Sequence, residues 1–317
     1  MIYDYEKREF EVRKTALAEK FEGSQGFRIE YESLVKTPYE VNNRVIGYLF
    51  VPDRIKTNKP VVFLHGLGNK NLIPLSWYPR EFARNGIVSY LMILPYHFER
   101  TPVGMESGKK FLVDDMDDSL NDFRQAVIDV RTSMDYLERE GYSSGKFSIM
   151  GVSFGGMVST IAMGVDTRIK EGIFVVTGGN YLYLVWKGFA TRFTRRKYEM
   201  NSNLTIYGCN EEKCAEYHKN YRDYIEKLTS PEDIEVVPYE KGCFLFDPLT
   251  FARFVRDRKV ILYNALFDEA IPRKAAEELW EVMGRPERHW LFAEHVTSIL
   301  YRRGIRDRAL RLFLEGK

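Results

Sequence analysis

The chain has 317 residues, 44% of them hydrophobic, enough for a sizeable core in one large domain or in a domain with an insertion. Charged residues reach 29%, but the signs cancel to a net charge of +2, so no bulk field draws the chain toward nucleic acid or membrane. Three cysteines are an odd number and argue against a disulfide framework, and no run approaches the ~20 apolar residues of a membrane span.

The first ten residues, M-I-Y-D-Y-E-K-R-E-F, are charged throughout and lack the apolar stretch of a signal peptide, so the cytoplasm is the expected compartment. Residues 2–22, with Tyr5, Val12 and Phe21 among many charges, are expected to form a helix. Two alternating runs follow, 27–35 and 44–51, as in an antiparallel edge hairpin with one wet face. The pattern then changes to continuous apolar strands at 59–66 and 87–95, with a helix at 77–85 between them. A long amphipathic helix at 117–140 leads to a strand at 146–151, a glycine-rich turn, a helix at 155–164 and a strand at 171–178. Apolar strands alternating with helices predict a parallel sheet covered on both faces.

Residues 180–257 break this alternation. They are rich in Tyr, Phe, Arg and Lys, with helical stretches expected at 181–196 and 211–228. The strand–helix pattern resumes with a strand at 258–265, a helix at 272–283, a strand at 288–294 and a last helix at 296–314. The domain reading is therefore a core of 1–179 and 258–317 with 180–257 inserted as a lid or cap. The short charge runs at 113–118 and 191–197 read as solvated surface.

The strand at 146–151 runs straight into G-V-S-F-G and then a helix, the context that makes Ser153 a candidate nucleophile. Glycines on both sides let neighbouring backbone approach a strained turn. The serine then projects at the C-terminal edge of the sheet, where α/β folds bind ligands. A serine hydroxyl needs a base to take its proton. His65 sits in H-G-L-G and reads as architectural, His218 lies in the insertion, and His289 lies inside a strand. His97 is near the right edge, but His295, on a loop just past the last strand, combines that edge with freedom to reach Ser153. Asp268, after the strand at 258–265, is the expected orienting acid, with Glu269 and Asp247 as competitors. Backbone N–H groups of Phe154 and Leu67 are candidate donors to an oxyanion.

H-G-L-G (65–68), G-V-S-F-G-G (151–156), F-D-E-A-I-P (267–272) and E-H (294–295) together resemble the α/β-hydrolase superfamily, its esterase and dienelactone-hydrolase-like branch in particular. The resemblance covers nearly the whole chain except 180–257. It implies an eight-stranded, mostly parallel sheet flanked by helices, with an antiparallel pair at one edge. It also implies a Ser153–His295–Asp268 triad and a helical lid. The stretch L-P-Y-H-F-E-R-T-P (94–102) departs from the glycine-containing loop of relatives and leaves the pocket undefined.

The expected activity is hydrolysis of a small carboxylic ester through an acyl-enzyme. The alternatives are an acyl-aminoacyl hydrolase or peptidase with the same triad, and a non-catalytic binding protein on the same fold. Tyr96, His97 and Arg100 are candidates to meet polar substrate groups, although Arg100 could equally pair with the acidic run 114–118. Trp186, Tyr181, Tyr183 and Phe189 are candidate pocket walls, or ordinary lid packing. No cofactor or metal is expected, since Cys209 and Cys214 in C-N-E-E-K-C have no second ligand pair nearby. Neither nucleic acid nor membrane is an expected partner. The near-neutral charge and aromatic-rich lid are compatible with a homo-oligomer.

Overall fold

The computed structural model describes residues 1–112, 116–192, 195–196 and 210–316. Cys209, residues 193, 194 and 197 of the basic run at 191–197 and residues 113–115 of the acidic run at 113–118 lie outside the described residues. The described strands form one sheet in the order β1-β2-β3-β5-β4-β6-β7-β8-β9. They are β1 (Arg13–Ala16), β2 (Ser24–Glu32), β3 (Arg44–Pro52), β4 (Val61–Leu64), β5 (Ser89–Ile93), β6 (Phe147–Val152), β7 (Ile169–Val175), β8 (Lys259–Ala265) and β9 (Glu287–Leu291). From β5 to β9 every neighbouring pair is parallel, while β1, β2 and β3 pair antiparallel at one edge.

The sheet has nine strands where eight were expected, and the extra one corrects the reading of the N-terminus. Residues 2–22 do not form a helix; Arg13–Ala16 instead pairs with Phe27–Glu30. The apolar residues there are too sparse to give a helix a buried face. The open edge of β2, by contrast, offers backbone hydrogen bonds. Upstream, the chain is tied down by single anchors: Tyr3 is buried and donates to the Leu245 carbonyl, and the Phe10 ring stacks on Tyr31 at 4.4 Å.

The parallel strands β4 to β8 bury both faces, whereas β9 at the sheet edge buries only Leu291 fully. Along β4, Val62 and Leu64 face one core, whereas Val61 and Phe63 face the other. The first core lies under α1 (Met116–Arg139) and α2 (Phe154–Val165), and it includes Phe123, Val127, Val158 and Ile161. The second is closed by the helix Trp77–Arg84 and the C-terminal helix Arg302–Glu315, whose Phe82 and Phe313 meet edge to face at 5.6 Å. That last helix starts later than expected, because a 3-10 turn occupies Thr297–Tyr301.

Within 180–257 the described helices are Tyr181–Trp186, Glu211–Tyr217, Tyr221–Lys227 and Pro248–Ala252. Tyr221, Phe244, Phe246 and Phe251 join the first core. Phe246 stacks on Phe123 at 5.3 Å and meets Tyr181 edge-on at 5.3 Å. Residues of 180–257 are thus continuous with the core. Among the described residues, no helix is long and apolar enough to cross a membrane.

Candidate active site

The C-terminal edge of the parallel strands carries concentrated backbone strain. Tyr96, Phe98, Ser153, Val176 and Asn180 all have positive φ, and all follow β5, β6 or β7. For bulky or β-branched residues this conformation is costly and persists only where surrounding contacts enforce it. Ser153 (φ 54°, ψ −119°) is the hinge between β6 and α2. Its N–H donates to the Val175 carbonyl, and its carbonyl accepts from Gly156 N–H and from the Thr177 hydroxyl at 2.9 Å.

Two glycines make this hinge sterically feasible. A Cβ on Gly155 would collide with the Leu64 carbonyl oxygen of β4, and one on Gly156 would lie 2.7 Å from Thr177 Cβ. Sequence reasoning missed Thr177. Its signal was Gly156 itself, a helical glycine whose missing side chain makes room for a neighbour.

The structure brings Ser153, His295 and Asp268 into one hydrogen-bonded line. His295 Nε2 lies 2.9 Å from Ser153 Oγ, and His295 Nδ1 lies 2.9 Å from both Asp268 oxygens. With Nδ1–H donating to the carboxylate, Nε2 is left as the acceptor facing the serine. Asp268 is nearly buried, and its Oδ1 also accepts the N–H groups of Ala270 and Ile271 at 3.0 and 2.8 Å. The Ser298 hydroxyl donates to the His295 carbonyl at 2.7 Å and fixes that loop. Glu269 is exposed. Asp247 is buried elsewhere, where it accepts from the N–H groups of Asn180, Tyr181 and Leu249; burial pushes its carboxyl up to about 6 against those bonds.

Leu67 and Phe154, the candidate oxyanion donors, both lie beside Ser153, Phe154 in the chain and Leu67 across the loop. Phe154 opens α2 directly after Ser153, so its N–H has no intrahelical acceptor. The loop carrying Leu67 lies against the serine: a Cβ on Gly66 would be 3.5 Å from Ser153 Cβ. Among the described residues, neither the Leu67 nor the Phe154 N–H has a hydrogen-bond acceptor.

Tyr96, His97 and Arg100 are corrected. All three are buried, at 2%, 0% and 0% exposure, rather than lining an open surface. Arg100 donates to the carbonyls of Ile93 and Asn42 and pairs with buried Asp129 at 2.7 Å, rather than with the acidic run. A guanidinium taken from water needs such partners, and among the described residues Nη1 and Nη2 have them while Nε has none. His97 Nε2 accepts the Gly68 N–H at 3.1 Å while Nδ1 meets the Pro95 carbonyl at 2.8 Å. Burial pushes His97 down to about 4 and His65 well below its ordinary value, so both stay neutral. Trp186 is also buried, packed with Val185 and Cys214. Phe189 is 53% exposed, and its N–H donates to the Glu269 carbonyl, which brings the chain after Trp186 beside the Asp268 loop. Among the described residues, no cluster of His, Cys, Asp and Glu suits a metal.

No protein-family model matches the sequence, and no curated protein matches it. Solved structures do match the fold over nearly its whole length. Acetyl xylan esterase from Paenibacillus sp. R4 is similar with a TM-score of 0.58 at 16% identity, covering 95% of this chain and 89% of that one. Acetyl xylan esterase 1 from Thermoanaerobacterium sp. JW/SL YS485 gives 0.58 at 14% identity, covering 97% and 88%. The chain has the α/β-hydrolase fold. The acylaminoacyl peptidase of Pyrococcus horikoshii shares that fold (TM-score 0.55, 15% identity), and the α/β-hydrolase chain here, 97% of it matched, spans only 41% of the peptidase.

Proposed function

We propose that this α/β-hydrolase is a serine hydrolase that cleaves a small carboxylic ester through an acyl-enzyme on Ser153. The observation that carries the reading is the position of His295, 2.9 Å from Ser153 Oγ and 2.9 Å from Asp268, which lets Nε2 act as a general base when Nδ1–H donates to the carboxylate. Ser153 Oγ attacks the ester carbonyl carbon as its proton passes to His295 Nε2. Asp268 stabilises the imidazolium. The N–H groups of Leu67 and Phe154 receive the oxyanion, a contribution on the order of 3 kcal/mol for each such donor. The intermediate collapses, and His295 returns the proton to the leaving alkoxide. Water then attacks the acyl-enzyme by the same route, regenerating Ser153.

The test is labelling of the native chain with a fluorophosphonate, with the modified peptide identified by mass spectrometry. The expected result is one adduct on Ser153, absent from Ser153→Ala and lost in His295→Ala. A folded protein that takes no label would overturn the reading. Turnover of N-acyl amides in preference to p-nitrophenyl esters of rising chain length would instead favour an acyl-aminoacyl hydrolase.

A further inference from the structure

The Leu67 N–H belongs to a peptide plane that it shares with the Gly66 carbonyl. In a trans peptide these two groups point in opposite directions, so whatever holds the carbonyl aims the N–H. Two side chains hold the Gly66 oxygen: Asn69 Nδ2 donates to it at 2.7 Å and His65 Nδ1 at 2.8 Å. His65 Nε2 accepts the Leu94 N–H at 3.1 Å, so Nδ1 carries the proton. The next plane, Leu67–Gly68, is held from the other side, because His97 Nε2 accepts the Gly68 N–H at 3.1 Å.

The turn that presents His97 is itself braced. His97 sits between Tyr96 and Phe98, both at positive φ. Tyr96 N–H donates to Asn42 Oδ1 at 2.8 Å, and Arg100 ties the Asn42 carbonyl to Asp129. The Ser107 hydroxyl links both loops, donating to the Asn69 carbonyl at 2.9 Å and accepting from Phe98 N–H at 3.3 Å.

We propose that Asn69 and His97 are positioning residues that clamp the two peptide planes flanking Leu67 and so aim its N–H at the oxyanion. The proposal rests on the hydrolase reading above. It gives Asn69 and His97 a role that requires neither to touch substrate, and gives a purpose to the buried Arg100–Asp129 pair behind them. Burial keeps His97 neutral, so its Nε2 remains an acceptor at working pH.

The test uses the full chain with Asn69→Asp, which replaces the Nδ2 donor by an oxygen, and His97→Ala and His97→Gln. Readouts are turnover of p-nitrophenyl acetate and inhibition by a trifluoromethyl ketone, which forms a tetrahedral oxyanion adduct on serine. Outright loss of an oxyanion donor costs about 10²–10³ in kcat, so a misaimed one should cost about 10–100-fold. The expected result is that kcat/KM and ketone affinity fall by the same factor in Asn69→Asp and His97→Ala. Partial recovery is expected in His97→Gln, which keeps an acceptor. Asn69 is only half-buried, so its variant carries the test if His97→Ala does not fold. Folded variants as active as wild type, or variants that lose turnover but keep ketone affinity, would overturn the clamp alone. A wild-type chain that neither turns over ester nor binds the ketone would overturn the hydrolase reading and the clamp together.

Discussion

Asp268 has one orientation available. Both oxygens face His295 Nδ1 at 2.9 Å, and two backbone N–H groups hold Oδ1. Its neighbour Glu269 points to solvent, and Asp247 is spent on three amides around Asn180. Replacing Asp268 by Asn keeps the shape but presents an amide to Nδ1, which favours the wrong imidazole tautomer. Ester turnover should then fall by about 10⁴ in kcat with little change in KM. Initial rates on the panel esters check this, and a near-silent variant would make Asp268 a bystander. At this scale the sequence singled out Ser153 and His295 as candidates because each sits next to a motif, and the structure sets them 2.9 Å apart. The sequence was not legible for His97 and Arg100, since their polarity suggested the surface. Only the surrounding carbonyls, Asp129 and the Gly68 amide show why they can be buried.

The β6–Ser153–α2 unit is where local sequence and tertiary packing meet. Alanine normally outranks glycine in a helix by about 1 kcal/mol. At Gly155 that gain is unavailable, because the new methyl would enter the Leu64 carbonyl of β4, which the sheet cannot easily move. Gly155→Ala should therefore lower Tm and slow fluorophosphonate labelling of Ser153. A variant with unchanged Tm and labelling rate would show that the close approach is not maintained in solution. Most elements of this unit and the rest of the sheet follow from period and punctuation: apolar runs, turn glycines, and the helix of 24 residues from Met116 to Arg139. The N-terminal segment shows the limit. Its charges suit a helix, but β2 had a free edge, and Arg13–Ala16 took it.

Over the whole molecule, three buried histidines set an acid limit. Burial pushes His97 and His218 down to about 4 and His65 well below its ordinary value. The unfolded chain, with histidines near 6.5, binds more protons in this window than the folded one. Their contribution to stability is therefore complete above about pH 6.5 and is lost as pH falls toward 4, at no more than about 1.4 kcal/mol per pH unit for each group. Asp247, pushed up to about 6, works in the opposite sense and offsets roughly one of the three. Tm should fall between pH 7 and pH 5, and His218→Phe should flatten that slope. An unchanged Tm across this range would contradict it.

The amino-acid sequence by itself determined the strand–helix alternation, the glycine-fenced serine and the chain order of Ser153, Asp268 and His295, because these depend on local period and sterics. Tertiary structure alone decided the ninth strand, the merging of Tyr221, Phe244 and Phe246 with the core, and the partners of His97 and Arg100. Those outcomes depend on which hydrogen-bonding edge or buried polar group lies across a gap of many residues. No local pattern encodes that distance.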